Sequence, residues 1–215
     1  MEITTQTTQD AWKRALTYIK EEGSDFTDHD NRVCREVLNF TVTIEHPEED
    51  YETPIQLMQE FDLIYPSQEE LSAIMLSKDV AAIYEYSYGP RIFNFMNQKD
   101  QINDFIIPLL KKDPTTRRGI VCLFNPVKDM DLDSKNVPSL LFLYFKIKDN
   151  MLHLTCYIRS NDFFIGWPGN IYQIVVLQKY VADRINIPTG SLTTVSSSAH
   201  IFHEHFSMIE DIQRR

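Results

Sequence analysis

Apolar residues recur along this chain at two different intervals, and these intervals predict its helices and strands. Trp12, Leu16 and Ile19 follow each other at helical spacing and are succeeded by Gly23, a residue well placed to end a helix. An amphipathic helix with one buried face is therefore expected over 8–22.

Alternating apolar residues predict a half-buried strand over 37–44, with Leu38 and Phe40 on the same face. Two apolar runs, 140–147 and 151–158, are expected to be the strands of one hairpin that is buried on both faces. The other expected elements are a strand within 117–125, a last strand over 191–197, and helices over 68–77, 102–112, 170–186 and from about 202.

Composition and charge narrow the class of protein. The chain has 215 residues, of which 43% are hydrophobic, and this suits a single globular domain over 1–215. The net charge of −10 gives no electrostatic basis for binding nucleic acid. No apolar segment approaches the roughly 20 residues that span a membrane. The three cysteines lack the spacing of a metal site or a disulfide framework. We expect a cytoplasmic protein with no metal, membrane or nucleic acid.

Short motifs carry the chemistry. They are RVCREVLNF at 32–40, EYSYGPRI at 85–92, Arg117-Arg118 ahead of Asn125-Pro126, Pro138-Ser139, RSND at 159–162, GWPGN at 166–170 and SSAHIFHEH at 197–205. In this order they resemble the thymidylate synthase family, in particular its short archaeal type. The resemblance implies an α/β (α+β) fold with a large mixed β-sheet packed by helices, which dimerises through the sheet.

The resemblance also implies an activity, which is transfer of a one-carbon unit from 5,10-methylenetetrahydrofolate to C5 of a pyrimidine nucleoside 5′-monophosphate. The product would carry a methyl or hydroxymethyl group, and the substrate would resemble dUMP or UMP, with CMP as a further option. C5 becomes a carbon nucleophile only after a group adds to C6, and a thiolate is well suited to that addition.

Each matched position implies a role. The catalytic residues would be Ser139, Tyr88 and Arg159; the nucleotide-binding residues Arg117, Arg118, Arg159, Ser160, Asp162, Asn170, His200 and Phe202; and the folate-binding residues Asp162 and Gly166. Arg117 and Arg118 would reach the phosphate site of the other subunit in a homodimer. The amide of Asn170 favours a uracil base, although an asparagine before a helix over 171–186 also suits an N-cap.

Three positions depart from the family pattern. Ser139 replaces the nucleophilic cysteine, Ile158 replaces a glutamine, and Phe202 replaces a tyrosine that contacts the sugar. A serine needs a general base, and Arg159 cannot act as one because it stays charged. By alignment Cys156 is not a substitute nucleophile.

Two further expectations concern residues outside these matches. Glu70 is a candidate for the glutamate that assists at O4 of the base. Trp12 and Trp167 do not correspond to the tryptophans that pack against folate.

These departures leave four hypotheses. The chain is an enzyme with an altered nucleophile, or a catalytically silent homologue that binds a nucleotide for sensing or scaffolding. Alternatively, Ser139 is an engineered replacement, a hypothesis against which the accompanying Ile158 and Phe202 argue. The last hypothesis is different chemistry on the same ligand, such as glycosidic hydrolysis.

Overall fold

A computed structural model describes residues 1–61, 65–80, 87–133 and 136–215. Its strands form one mixed sheet in the order β1-β3-β7-β6-β5-β4, with β2 paired to β3. The β1/β3 and β6/β7 pairs are parallel and the other pairs are antiparallel. The strands are β1 (Glu2–Thr5), β2 (Ser24–Thr27), β3 (Val33–Ile44), β4 (Ile120–Cys122), β5 (Leu140–Lys148), β6 (Met151–Asp162) and β7 (Thr189–Phe202). The predicted mixed sheet is confirmed.

Helices pack on this sheet and complete the α/β fold that the motifs implied. They are α1 (Thr8–Glu22), α2 (Thr53–Gln59), α3 (Gln68–Leu76), α4 (Tyr88–Phe93), α5 (Ile107–Lys112), α6 (Pro126–Asp129), α7 (Gly166–Ile185) and α8 (Phe206–Arg214). None of the described helices combines the length and the apolar character that crossing a bilayer requires. Residues Glu85 and Tyr86 of the EYSYGPRI motif lie outside the described residues.

Helix α7 begins four residues earlier than predicted. The Asp162 carboxylate accepts the backbone N–H groups of Phe164 and Ile165, at 2.9 and 3.1 Å, and so fixes the turn that leads into the helix at Gly166. Pro168 is tolerated because it lies in the first turn, where its missing N–H would have no helical partner. Asn170 therefore lies inside α7, and its interpretation as an N-cap is wrong.

The last strand is longer than predicted, and the terminal helix starts later. Phe202 still pairs with Cys34 of β3, so β7 runs to Phe202 instead of ending at 197. A short 3-10 turn follows, and α8 begins at Phe206 rather than near 202.

Among the described residues, one face of the sheet is buried and the opposite face is partly exposed. Leu143, Phe145 and Leu154 are fully buried against the helices, as the core requires. On the opposite side, which we call the open face, Phe142 and Tyr157 stack with ring centroids 4.1 Å apart, and Tyr157 remains 37% exposed. The expectation that this hairpin is buried on both faces is therefore not met within one chain.

The central strands are kinked at one level of the sheet. In β6, Ile158 and Asn161 are both buried, so Arg159 and Ser160 between them both turn to the open face. In β3 the kink occurs at Asn39, whose φ of 54° is left-handed. Leu38 is consequently 62% exposed, and the prediction that it shares a face with Phe40 is wrong.

Candidate functional site

The structure brings Ser139 and Arg159 together at the start of the β5–β6 hairpin. The guanidinium of Arg159 donates from Nε to the carbonyl of Pro138 at 3.0 Å and from Nη2 to that of Val137 at 2.7 Å. Its backbone N–H also donates to the carbonyl of Ser139 at 2.8 Å. Main-chain contacts therefore hold Ser139 beside a cation.

Within the described residues, no hydrogen bond connects the Ser139 hydroxyl to a base. His153 is seven residues from the level of Ser139, pairs with Lys146 in register, and hydrogen-bonds Ser191 Oγ at 2.9 Å. Cys156 is fully buried in the core, and burial raises the pKa of its thiol well above the ordinary value. Neither residue can activate or replace Ser139 in this arrangement.

A row of three ionisable side chains crosses the open face near the ends of the strands. Glu36 of β3 pairs in register with His200 of β7, and His200 pairs with Asp162 of β6. Burial lowers the pKa of His200, although the neighbouring Asp162 and Glu36 carboxylates oppose this shift. His200 is therefore a neutral imidazole between two acids at neutral pH.

Phe202 lies next to this row. Its ring meets that of His200 edge to face, with centroids 5.4 Å apart. Arg32 covers it, with the guanidinium carbon 4.0 Å from the ring centroid, and is held by Asp28 at 2.9 Å. Sequence reasoning missed Arg32 and Glu36, although both lie in the 32–40 motif.

Asp162, Gly166 and Asn170 converge at the start of α7. A Cβ added at Gly166 would lie 3.6 Å from the Asp162 Cβ and 3.8 Å from Asn170 Nδ2. The glycine thus leaves open the space between a carboxylate and an amide. Because Asp162 Oδ1 accepts both backbone N–H groups of the preceding turn, Oδ2 is the oxygen that can face a ligand.

Arg117 and Arg118 lie away from Ser139 within the same chain. Both are exposed, and the loop that carries them is tied to β5 by Lys146 Nζ, which donates to the carbonyl of Thr116 at 2.9 Å. Seven residues of extended chain separate Lys146 from Ser139, which corresponds to roughly 20 Å at about 3.3 Å per residue. The two arginines cannot join Arg159 within one chain without a large movement.

The remaining predicted residues fall in distinct places. Tyr88 is the first residue of α4 and packs, half-buried, against the main core. Glu70 is exposed and accepts the backbone N–H of Ser67 at 2.8 Å in a helix capping box, so its role at O4 stays a prediction. Trp12 and Trp167 are fully buried in the core and cannot stack on a ligand in this conformation.

Among the described ranges, no group of three His, Cys, Asp or Glu side chains is arranged to hold a metal ion.

Comparison with known proteins gives consistent matches. The family model for thymidylate synthase matches residues 15–215. A Methanosarcina barkeri protein named "Putative thymidylate synthase" is 34% identical over 210 residues, covering 98% of this chain and 93% of the relative. A Methanococcoides burtonii protein of the same name has the same identity and coverage. The deoxyuridylate hydroxymethyltransferase of Bacillus phage SP01 is 30% identical over 149 residues, which are 63% of this chain and 39% of the phage protein.

Proposed function

Because this chain belongs to the thymidylate synthase family, we propose that it binds a pyrimidine nucleoside 5′-monophosphate and transfers a one-carbon unit to C5 of the base. One observation carries the proposal. Arg159, Ser160, Asp162 and His200 come from two strands, and the kinked sheet turns all four to the open face. The cation, the hydroxyl and the imidazole of this set match the phosphate and sugar of a nucleotide.

The phosphate would bind at Arg159 and Ser160, which follow each other on the open face. Two guanidinium nitrogens of Arg159 already bind carbonyls, so Arg159 alone supplies few donors to a phosphate. We infer that Arg117 and Arg118 of a second subunit complete the site, because these exposed side chains lie far from it within one chain. A homodimer through the open face would also bury Phe142 and Tyr157.

The base would lie toward α7, where Asn170 projects next to Gly166. An amide can accept from N3–H and donate to O4 of uracil, and this pairing favours a uracil nucleotide over a cytosine one. Tyr88 is the proposed acceptor of the proton that leaves C5. The sugar would lie between base and phosphate, beside His200.

The donor would be 5,10-methylenetetrahydrofolate, which when bound supplies the one-carbon unit. The residues present fit such a group, because the space above Gly166 lies beside Asp162, whose Cβ would be 3.6 Å from an added Cβ. The second oxygen of Asp162 could accept a hydrogen bond from the amino-pyrimidine edge of a pterin.

Ser139 makes a second function worth testing, which is nucleotide binding without covalent chemistry. Addition of the Ser139 oxygen to C6 requires that its proton pass to a base. The described residues supply no such base at hydrogen-bond distance. This observation favours a silent homologue with a sensing or scaffolding role over an enzyme that uses Ser139 as its nucleophile.

Release of tritium from C5 of labelled dUMP, UMP, dCMP and CMP, with methylenetetrahydrofolate, distinguishes the two functions. The unaltered protein is compared with Ser139→Cys and with Ser139→Ala as the matched control. Release that is lost only in Ser139→Ala would identify the serine as the nucleophile. Release only by Ser139→Cys would show an intact pocket in which the serine is silent, since Arg159 would favour the thiolate.

Calorimetric titration with the same nucleotides completes the test. Binding without tritium release from any variant would support the silent homologue. The absence of both binding and release in all three proteins would refute a pyrimidine nucleotide site.

A further inference from the structure

Glu36, Ser198 and His200 form a continuous hydrogen-bonded set on β3 and β7. The hydroxyl of Ser198 donates a hydrogen bond to Glu36 Oε1. The same Ser198 oxygen lies 3.5 Å from His200 Nδ1. The Glu36 carboxylate is therefore connected to the His200 imidazole through the Ser198 hydroxyl.

The position of each proton follows from this arrangement. Ser198 has a single hydroxyl proton and gives it to Glu36, so its oxygen can only accept a hydrogen bond from His200. This contact requires the proton on Nδ1, and a neutral ring then leaves Nε2 as an acceptor.

The charges around His200 Nε2 restrict which group can donate a hydrogen bond to it. Within the described part of the chain, no hydrogen bond reaches this nitrogen. The two carboxylates nearest to the ring, those of Glu36 and Asp162, disfavour an anionic group, while Arg32 is the neighbouring cation. A neutral hydroxyl that donates a hydrogen bond suits this position.

We propose that Glu36 and Ser198 are positioning residues, which hold His200 in the Nδ1–H tautomer so that its Nε2 accepts a hydrogen bond from a sugar hydroxyl of the bound nucleotide. The ligand in this inference rests on the proposed function. The tautomer rests only on the contacts among Glu36, Ser198 and His200.

The tautomer is tested by ¹⁵N NMR of the six histidines, with His200 assigned through a His200→Gln variant. The unaltered protein is expected to show a non-protonated Nε2. Glu36→Ala releases the Ser198 proton toward Nδ1 and should shift the ring to the Nε2–H form. Glu36→Gln keeps an acceptor for Ser198 and should retain the original tautomer. A protonated Nε2 in the unaltered protein, or an unchanged His200 tautomer in Glu36→Ala, would overturn the role of Glu36 and Ser198 as positioning residues.

The ligand is tested by calorimetry with UMP, dUMP, 3′-deoxy-UMP and 2′,3′-dideoxy-UMP. Glu36→Ala is expected to weaken the binding of nucleotides that carry the recognised hydroxyl by about 5- to 10-fold. The affinity for the dideoxy analogue should stay unchanged. Ser197→Ala, a neighbouring exposed serine outside the set, should not alter the ratio between the ligands. An equal loss for all four nucleotides would indicate a structural effect and overturn the assignment.

The two measurements separate failure of this inference from failure of the proposed function. If the unaltered protein binds none of the nucleotides, the proposed function and the sugar assignment fall together, whereas the NMR result still decides the tautomer. If the nucleotides bind and the affinity lost in Glu36→Ala does not depend on the sugar hydroxyl, only this inference falls.

Discussion

The buried ion pair between Arg91 and Asp129 provides a quantitative prediction about the fold beside the site. The guanidinium binds both carboxylate oxygens, at 2.6 and 2.7 Å, and also donates to the carbonyl of Leu123 at 3.0 Å. Asp129 further accepts the backbone N–H of Asn125 at 2.7 Å. The side chains are only 11% and 3% exposed, so water cannot replace a lost partner. The pair joins α4 to the segment that follows β4.

Asp129→Ala should therefore be strongly destabilising. Leaving one charge of a buried pair without its partner costs about 3–5 kcal/mol. Each kcal/mol lowers Tm by about 2–4 °C for a chain of this size, so we expect a fall of roughly 10 °C. The double variant Arg91→Met/Asp129→Leu removes both charges and should recover part of the loss. Recovery stays incomplete because the Asn125 N–H and the Leu123 carbonyl still lose a partner.

The assay is thermal unfolding, followed by circular dichroism, of the unaltered protein, Asp129→Ala and the double variant. Lys99→Ala is the matched control, because Lys99 pairs with Asp104 at 3.8 Å and both side chains are more than half exposed. An exposed pair of this kind contributes about 0–1 kcal/mol. If Asp129→Ala lowers Tm no more than Lys99→Ala does, the reasoning about burial is refuted.

Three further predictions concern individual residues. The hydrogen bond from Arg35 lowers the pKa of Asp25 to about 2 from its ordinary 3.8, so Asp25 stabilises the fold fully above pH 3.8 and loses this contribution as pH falls toward 2. Carboxyl NMR should give that midpoint and a higher one in Arg35→Gln; equal midpoints contradict the prediction. The Cys156 thiol, buried and with a raised pKa, should resist alkylation until the protein is denatured, as mass spectrometry can check; native labelling would disprove its burial. Gly166→Ala should fold normally but bind methylenetetrahydrofolate more weakly. Gly89→Ala should instead unfold at lower temperature, because its Cβ would collide with carbonyls at the end of α3. Equal Tm values for the two variants would contradict this prediction.

Sequence patterns predicted elements whose apolar spacing is unbroken. Helix α1 and the β5–β6 hairpin lie where predicted because each presents a long regular face to the core. The start of α7 was predicted too late because Gly166 and Pro168 disfavour helix interiors, although both are tolerated in its first turn. The hydrogen bonds that Asp162 makes stabilise the turn before α7, and helical periodicity does not report such contacts.

The candidate site was predicted through motifs, and its missing parts have a physical cause. Motifs placed Arg159 near Ser139, but they could not indicate that Arg159 binds main-chain carbonyls. Glu36 was overlooked because the predicted strand began at 37 and its alternation was assumed to be continuous. The left-handed φ at Asn39 breaks that alternation, and no count of apolar residues detects such a break.

The contacts around Ser139 have a consequence for how this lineage could change. Within the described residues, the hydrogen bonds that hold residue 139 in place act on the main chain, at its own carbonyl and at those of Val137 and Pro138. The side chain at this position is therefore not part of the scaffold. A cysteine or a serine could be exchanged there with little effect on stability, so selection for folding cannot preserve either one. Only selection for catalytic chemistry can preserve a particular side chain at 139. The identity of this residue therefore indicates whether that selection is still acting.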